Sequence, residues 1–162
     1  MTWVRSRRLT VVGTVVIAGI AATLWSVVGP ASASRADPRS GAALVSIAQR
    51  FNDDYAANRD GLVYDRWDSR SRMIISRSRY VELHALCPTA PAPAVVEGAA
   101  PVGDGFWRVR YDIGGVQLID YWHYVADRWQ FNLQRSNPGA VKLYRMSTAA
   151  YMAAVGCSEP TG

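Results

Sequence analysis

Lysine is almost missing from this chain: Lys142 stands alone among 18 basic residues, and arginine supplies the rest. That skew reads as a GC-rich coding sequence rather than as a nucleic-acid surface. Cysteine and histidine are scarce, two of each, with no CxxC pair and no Cys/His cluster. A zinc ribbon or a thioredoxin-like redox motif is therefore excluded. The sequence also has no phosphate loop, no GxGxxG, no HExxH, no GxSxG and no internal repeat. Nucleotide hydrolysis, dinucleotide redox chemistry, zinc proteolysis and the common type of serine hydrolysis find no support, and no cofactor is expected.

The net charge of +5 is partly an end effect. Arg5, Arg7 and Arg8 precede the first apolar run, and setting these three aside leaves 15 basic against 13 acidic residues. No nucleic-acid partner is expected from that balance. Leu9 to Val28 carries no charge, Gly29-Pro30 ends the run, and Ala31-Ser32-Ala33 offers the small residues that signal peptidase accepts. Residues 1–33 thus read either as a signal peptide cleaved after Ala33 or as a single-pass anchor touching the membrane through residues 9–28. In both cases the remainder is extracytoplasmic, secreted or anchored to the cytoplasmic membrane. Residues 34–41 read as a polar linker and 42–160 as one α+β domain. With 49% hydrophobic residues and six Trp, the chain can bury a real core. Cys87 and Cys157 would pair in an oxidising compartment, two buried free thiols being the alternative.

Leu44, Ile47, Ala48, Phe51 and Tyr55 recur at helical spacing and predict a first helix. Leu62, Val63, Tyr64 and Trp67 suggest a second, Ser69 to Arg72 is polar, and Met73 to Ile75 suggests a brief strand. Ser76 or Ser78 caps a third helix running through His84 to Cys87. Beyond Pro93 the period falls to two. Asp104-Gly105, Gly114-Gly115 and Ala126-Asp127 separate four strands: 94–102, 106–113, 116–125 and 128–134. Asn137-Pro138-Gly139 reads as a turn, and Ser147 to Val155 as a last helix ended by Gly156. Two-residue turns set a register in which Trp107, Val109, Tyr111, Ile113, Val116, Leu118, Trp122, Tyr124, Trp129, Phe131 and Leu133 share one face. Arg108, Arg110, Asp112, Gln117, Tyr121, His123, Gln130 and Asn132 take the other. The predicted fold is N-terminal helices covering the aromatic face of a curved four- to five-stranded antiparallel sheet.

Helices followed by such a meander resemble the nuclear transport factor two-like superfamily. The stretches Phe106–Tyr111, Asp120-Tyr121-Trp122-His123-Tyr124 and Arg128–Phe131 are similar to the last strands of its cone, and the likeness spans about residues 42–135. The resemblance implies a cone-shaped domain. The superfamily includes isomerases, dehydratases, epoxide hydrolases and inactive domains, and the enzymes' catalytic residues find no matching positions here. Exported members with a membrane-spanning start also resemble accessory proteins encoded beside lipid-transport systems in GC-rich bacteria.

Asp120 is the single charged side chain on the aromatic face, where desolvation would raise its pKa and suit it to acid–base work. The structural alternative is a hydrogen bond to Tyr64, Arg66 or Trp67 that ties sheet to helices. Tyr55, Tyr64, Trp67, Tyr80, Trp107, Tyr111, Trp122, Trp129 and Phe131 either line an apolar ligand pocket or fill a core. His84 would meet carbonyls at a helix end, and His123 falls on the face opposite Asp120. The two histidines sit on different elements, which argues against a metal site. Arg66, Arg70 and Arg72 form a surface suited to an envelope protein or an anionic envelope component, and the polar sheet face offers a homodimer contact. These features point first to a non-catalytic envelope-binding or accessory module. The alternative is a binder of small apolar ligands, or a cofactor-free isomerase, dehydratase or hydrolase, with Asp120 in an aromatic pocket.

Overall fold

The computed structural model describes residues 36–88 and 92–157. The apolar run at 9–28 and the Ala33 cleavage position lie outside the described residues. Among the described residues, no helix is long and apolar enough to cross a membrane.

The first helix, α1 (Gly41–Ala56), starts where the Ser40 hydroxyl accepts the Ala43 N–H at 3.2 Å. Its buried stripe is Leu44, Ile47, Ala48, Phe51 and Asn52, while Tyr55 reaches the surface. Three shorter helices follow: α2 (Asp60–Tyr64), α3 (Ser69–Arg72) and α4 (Arg77–Leu86). The polar stretch Ser69–Arg72 is the one-turn helix α3, because the Asp68 carboxylate accepts the Ser71 N–H at 2.7 Å. Met73 to Ile75 is a turn, not a strand. Ile75 is buried, and its carbonyl accepts the Tyr64 hydroxyl at 2.8 Å instead of a ladder partner. Ser76 caps α4 through the Arg79 N–H.

Four strands, β1 (Ala94–Gly103), β2 (Phe106–Ile113), β3 (Val116–Val125) and β4 (Arg128–Phe131), pair antiparallel in chain order. The derived register holds from Ile113↔Val116 through Tyr111↔Leu118 and Val109↔Asp120 to Trp107↔Trp122, and at Trp122↔Phe131 and Tyr124↔Trp129. It fails at Leu133. The strand stops at Phe131, because the Asn132 side chain accepts the Arg135 N–H at 2.8 Å and opens the one-turn helix α5 (Leu133–Ser136). The expected turn at 137–139 is likewise a helix start. Asn137 accepts the Ala140 N–H, Pro138 occupies the first helical position, and α6 (Pro138–Leu143) follows. The last helix, α7 (Thr148–Val155), runs from the Ser147 cap to Gly156, which takes the left-handed conformation at φ 74°.

The core forms where α1 lies on the sheet. Phe51 meets Trp122 edge-on at 5.1 Å and Phe131 at 4.9 Å, over fully buried Val109 and Trp129. The aromatic face is not covered along its whole length: Val116 is 58% exposed and Leu118 38%. The supposed linker is docked. Asp37 accepts from Trp129 N and Arg66 Nη1 at 3.0 and 2.7 Å, and the Asp37 and Pro38 carbonyls accept from the Tyr124 hydroxyl and Trp129 Nε1. The Trp129 N–H is thereby satisfied on the side of β4 away from β3, where the Phe131 N–H and carbonyl pair with the Arg66 carbonyl and the Asp68 N–H. The disulfide Cys87–Cys157 forms, joining the end of α4 to the residue after Gly156 across a separation of 70 positions.

Candidate functional site

At the end of the sheet that α1 leaves uncovered, a cavity of about 740 Å³ opens. The inner faces of β2 and β3 supply Tyr111, Ile113, Leu118 and Asp120 to its wall. The helices supply Phe51, Asn52 and Tyr55 from α1, Tyr80 and His84 from α4, and Ala140 and Leu143 from α6. Tyr144, Tyr151 and both disulfide cysteines complete it. The volume falls within the range of small-molecule sites, and the lining is mostly aromatic and aliphatic with a few polar groups. A second groove, of about 400 Å³, has Arg50, Arg59, Arg66 and Arg128 facing Asp53, Asp54 and Asp65. Two of its arginines are already paired, Arg59 with Asp54 and Arg66 with Asp37, so its charge is largely spoken for.

The alternation that turns Leu118 and Trp122 inward turns Asp120 inward too, leaving it 6% exposed. Burial pushes its carboxyl up to about 7, against an ordinary value of 3.8, and a bond from Tyr111 opposes that rise. The Tyr111 hydroxyl donates to Asp120 Oδ1 at 3.5 Å, a long and therefore weak bond. The two side chains are diagonal neighbours on one sheet face, since Val109 pairs with Asp120 and Tyr111 with Leu118. The partner expected from the helices, Tyr64, Arg66 or Trp67, is not the one found; the sheet supplies it. Burial and the nearby Asp120 charge raise the Tyr111 pKa, so that phenol is a donor at neutral pH.

Of the aromatic candidates, Tyr55, Trp67, Tyr80, Tyr111 and Phe131 line the cavity. The other four pack elsewhere. Trp122 sits under Phe51, Trp107 meets Trp129 edge-on at 5.4 Å, and Tyr64 stacks against Trp67 and Tyr80. Trp67 keeps a buried Nε1–H without a hydrogen-bond partner.

His84 does not serve the end of its helix. It is 3% exposed, its Nδ1 lies 3.1 Å from Asp60 Oδ1, and its Nε2 lies 3.0 Å from the Tyr144 hydroxyl. Asp60 and Tyr144 carried no expectation from the sequence. For Tyr144 a signal existed: Asn137 as a cap, Pro138 at the first helical position, and Ala140, Leu143 and Tyr144 at helical spacing. His123 stays on the opposite sheet face, stacked on Phe106 at 4.9 Å and 3.2 Å from Asp68, so it makes no dyad with Asp120.

The arginine surface is less open than its sequence implies. Arg66 is clamped by Asp37, and Arg72 donates to the Asp65 carbonyl at 2.7 Å; Arg70 is exposed. Among the described residues, no group of three or more His, Cys, Asp or Glu side chains is placed to hold a metal ion. No family model matches this chain, and no curated protein or solved structure does either.

Proposed function

We propose that the domain takes a small, largely apolar molecule into this chamber and that Asp120 exchanges a proton with it. The observation that carries the reading is the meeting of space and charge: about 740 Å³ bounded by rings, reaching a carboxyl that burial holds near neutrality. A group with a pKa close to the working pH is present in both forms, which suits general acid–base catalysis without a cofactor. Proton transfer next to a carbonyl and elimination or addition of water are the reaction classes this arrangement favours. The curved, cone-like sheet and the extracytoplasmic location belong to the same reading. The Cys87–Cys157 bond supports an oxidising compartment. Docking of an envelope partner through Arg66, Arg70 and Arg72 is the weaker reading, because Arg66 is already engaged by Asp37.

A neutral fluorophore such as phenylnaphthylamine tests the chamber directly. Titration should show saturable binding at one site, and Ala140→Trp, which pushes an indole in from α6, should weaken it roughly tenfold or more with the circular dichroism unchanged. Linear, unsaturable uptake, or binding indifferent to Ala140→Trp, would remove the chamber from the argument.

A further inference from the structure

We infer that Asp60, His84 and Tyr144 form a second polar pole of this chamber, a hydrogen-bond-accepting one, and that the occupant therefore carries a hydroxyl group, as an aromatic or alicyclic alcohol does. The inference rests on the chamber reading above and names the chemistry of its ligand.

Three elements converge to build the pole: α2 begins with Asp60, α4 carries His84 in its last turn, and Tyr144 follows α6. Asp60 and His84 are 6% and 3% exposed, so neither is a surface group that happened to fold inward. His84 Nδ1 and Asp60 Oδ1 face each other at 3.1 Å, an electrostatic contact, and neither atom has a hydrogen-bond partner. A carboxylate beside Nδ1 selects the tautomer that carries its proton there. Nε2 is then an acceptor, and the Tyr144 hydroxyl at 3.0 Å must donate to it. That commits the only proton of Tyr144 to the histidine. The Tyr80 hydroxyl donates to one lone pair of the Tyr144 oxygen, so a single lone pair is left to offer the chamber, and a lone pair recognises a donor.

The groups around the ring keep it ready to accept. Burial lowers the His84 pKa, and the Asp60 charge acts against that fall, so the imidazole is neutral at neutral pH. Tyr80 on its own helix lies with ring centroids 4.2 Å away, and Tyr55 of α1 at 6.0 Å, both uncharged. A purely structural triad is a poor account of the site, since apolar side chains of equal volume would fill the space without desolvating a carboxylate. Its order is also directional. Asp60 lies behind His84, and His84 and Tyr144 line the cavity. The ligand O–H donates to Tyr144 Oη, and Tyr144 donates on to His84 Nε2, a chain of hydrogen bonds that ends on a neutral imidazole.

A naphthol and its methyl ether serve as the probe pair, both apolar and both fluorescent. The naphthol should bind about tenfold more tightly than the ether, the worth of one buried hydrogen bond. Tyr144→Phe keeps the ring, so it should erase that preference, bringing the ratio of the two affinities to about one. Equal binding of naphthol and ether, or a preference that survives Tyr144→Phe, overturns the inference and leaves the chamber standing. Failure of both probes to bind takes away the chamber as well.

Discussion

Asp120→Asn is expected to make the domain more stable at alkaline pH and to change little in acid. The folded-state carboxyl titrates at about 7, whereas the unfolded chain gives it the ordinary 3.8. Between those two values the unfolded state has released the proton and the folded state still holds it. The unfolded state then binds fewer protons, and stability falls as pH rises. The native protein therefore has its full stability from this group below about pH 4 and loses it progressively up to and through about pH 7, by on the order of 4 kcal/mol in all. Asparagine cannot ionise, and its carbonyl can still accept from Tyr111. The difference between variant and native protein should be near zero at about pH 4 and reach about 4 kcal/mol at about pH 8, a rise in Tm of roughly 10 °C or more for a domain of this size. Urea unfolding followed by tryptophan fluorescence at several pH values measures it. A difference that stays flat with pH would mean that the carboxylate is solvated and has no special chemistry. A residue whose removal stabilises the fold is one whose presence needs a reason other than folding, and the proton exchange proposed above would supply one.

How much of this was legible beforehand depended on the range of the signal. Alternation is local and unambiguous, so the pairing of Val109 with Asp120, and with it the inward aim of that carboxylate, followed from two glycines at 114 and 115 and the parity of the residues on either side. The same reasoning overran at Leu133, because apolar parity continues through a residue that Asn132 has already diverted into a helix by capping it. It also counted the whole aromatic face as covered. Parity says which side a ring takes and nothing about how far the helices reach along it, so Trp107, Trp122 and Trp129 were grouped with Tyr111 although only Tyr111 meets the cavity. The Asp60–His84–Tyr144 pole had no chance of being read. Its members are 24 and 60 residues apart, on elements whose mutual placement is set by tertiary packing, and a lone histidine in a last helical turn has a simple local explanation. The docked Asp37 was hidden for the opposite reason: a polar Asp-Pro-Arg stretch looks like a linker until its carboxylate finds Trp129 and Arg66.

Asp68→Ala should be among the most damaging single changes outside the chamber, costing about 3–5 kcal/mol at neutral pH. The carboxylate is 1% exposed and joins the helical half of the chain to the end of the sheet. Its Oδ1 accepts the Ser71 N–H at 2.7 Å; its Oδ2 accepts the Asn132 amide at 2.6 Å and lies 3.2 Å from His123 Nε2. Its own N–H donates to the Phe131 carbonyl at 2.9 Å, and Ser71 in turn accepts the Leu133 N–H. Alanine would leave the Asn132 amide and the Ser71 N–H buried without acceptors, at the position where β4 gives way to α5. Burial alone would raise this carboxyl's pKa, but the hydrogen bonds from His123, Ser71 and Asn132 outweigh it and hold the group well below the usual carboxylate range. The sign is thus opposite to that of Asp120. The charged form stabilises the fold above about pH 4, and the contribution fades as pH falls below the unfolded value of 3.8. The cost of Asp68→Ala, measured by chemical unfolding, should be largest near neutrality and shrink toward about pH 2. A cost that did not diminish in acid would mean the side chain acts through packing rather than charge. With one buried carboxylate losing stability as pH rises and the other as it falls, the native protein should be most stable on the acid side of neutrality, between the two titrations.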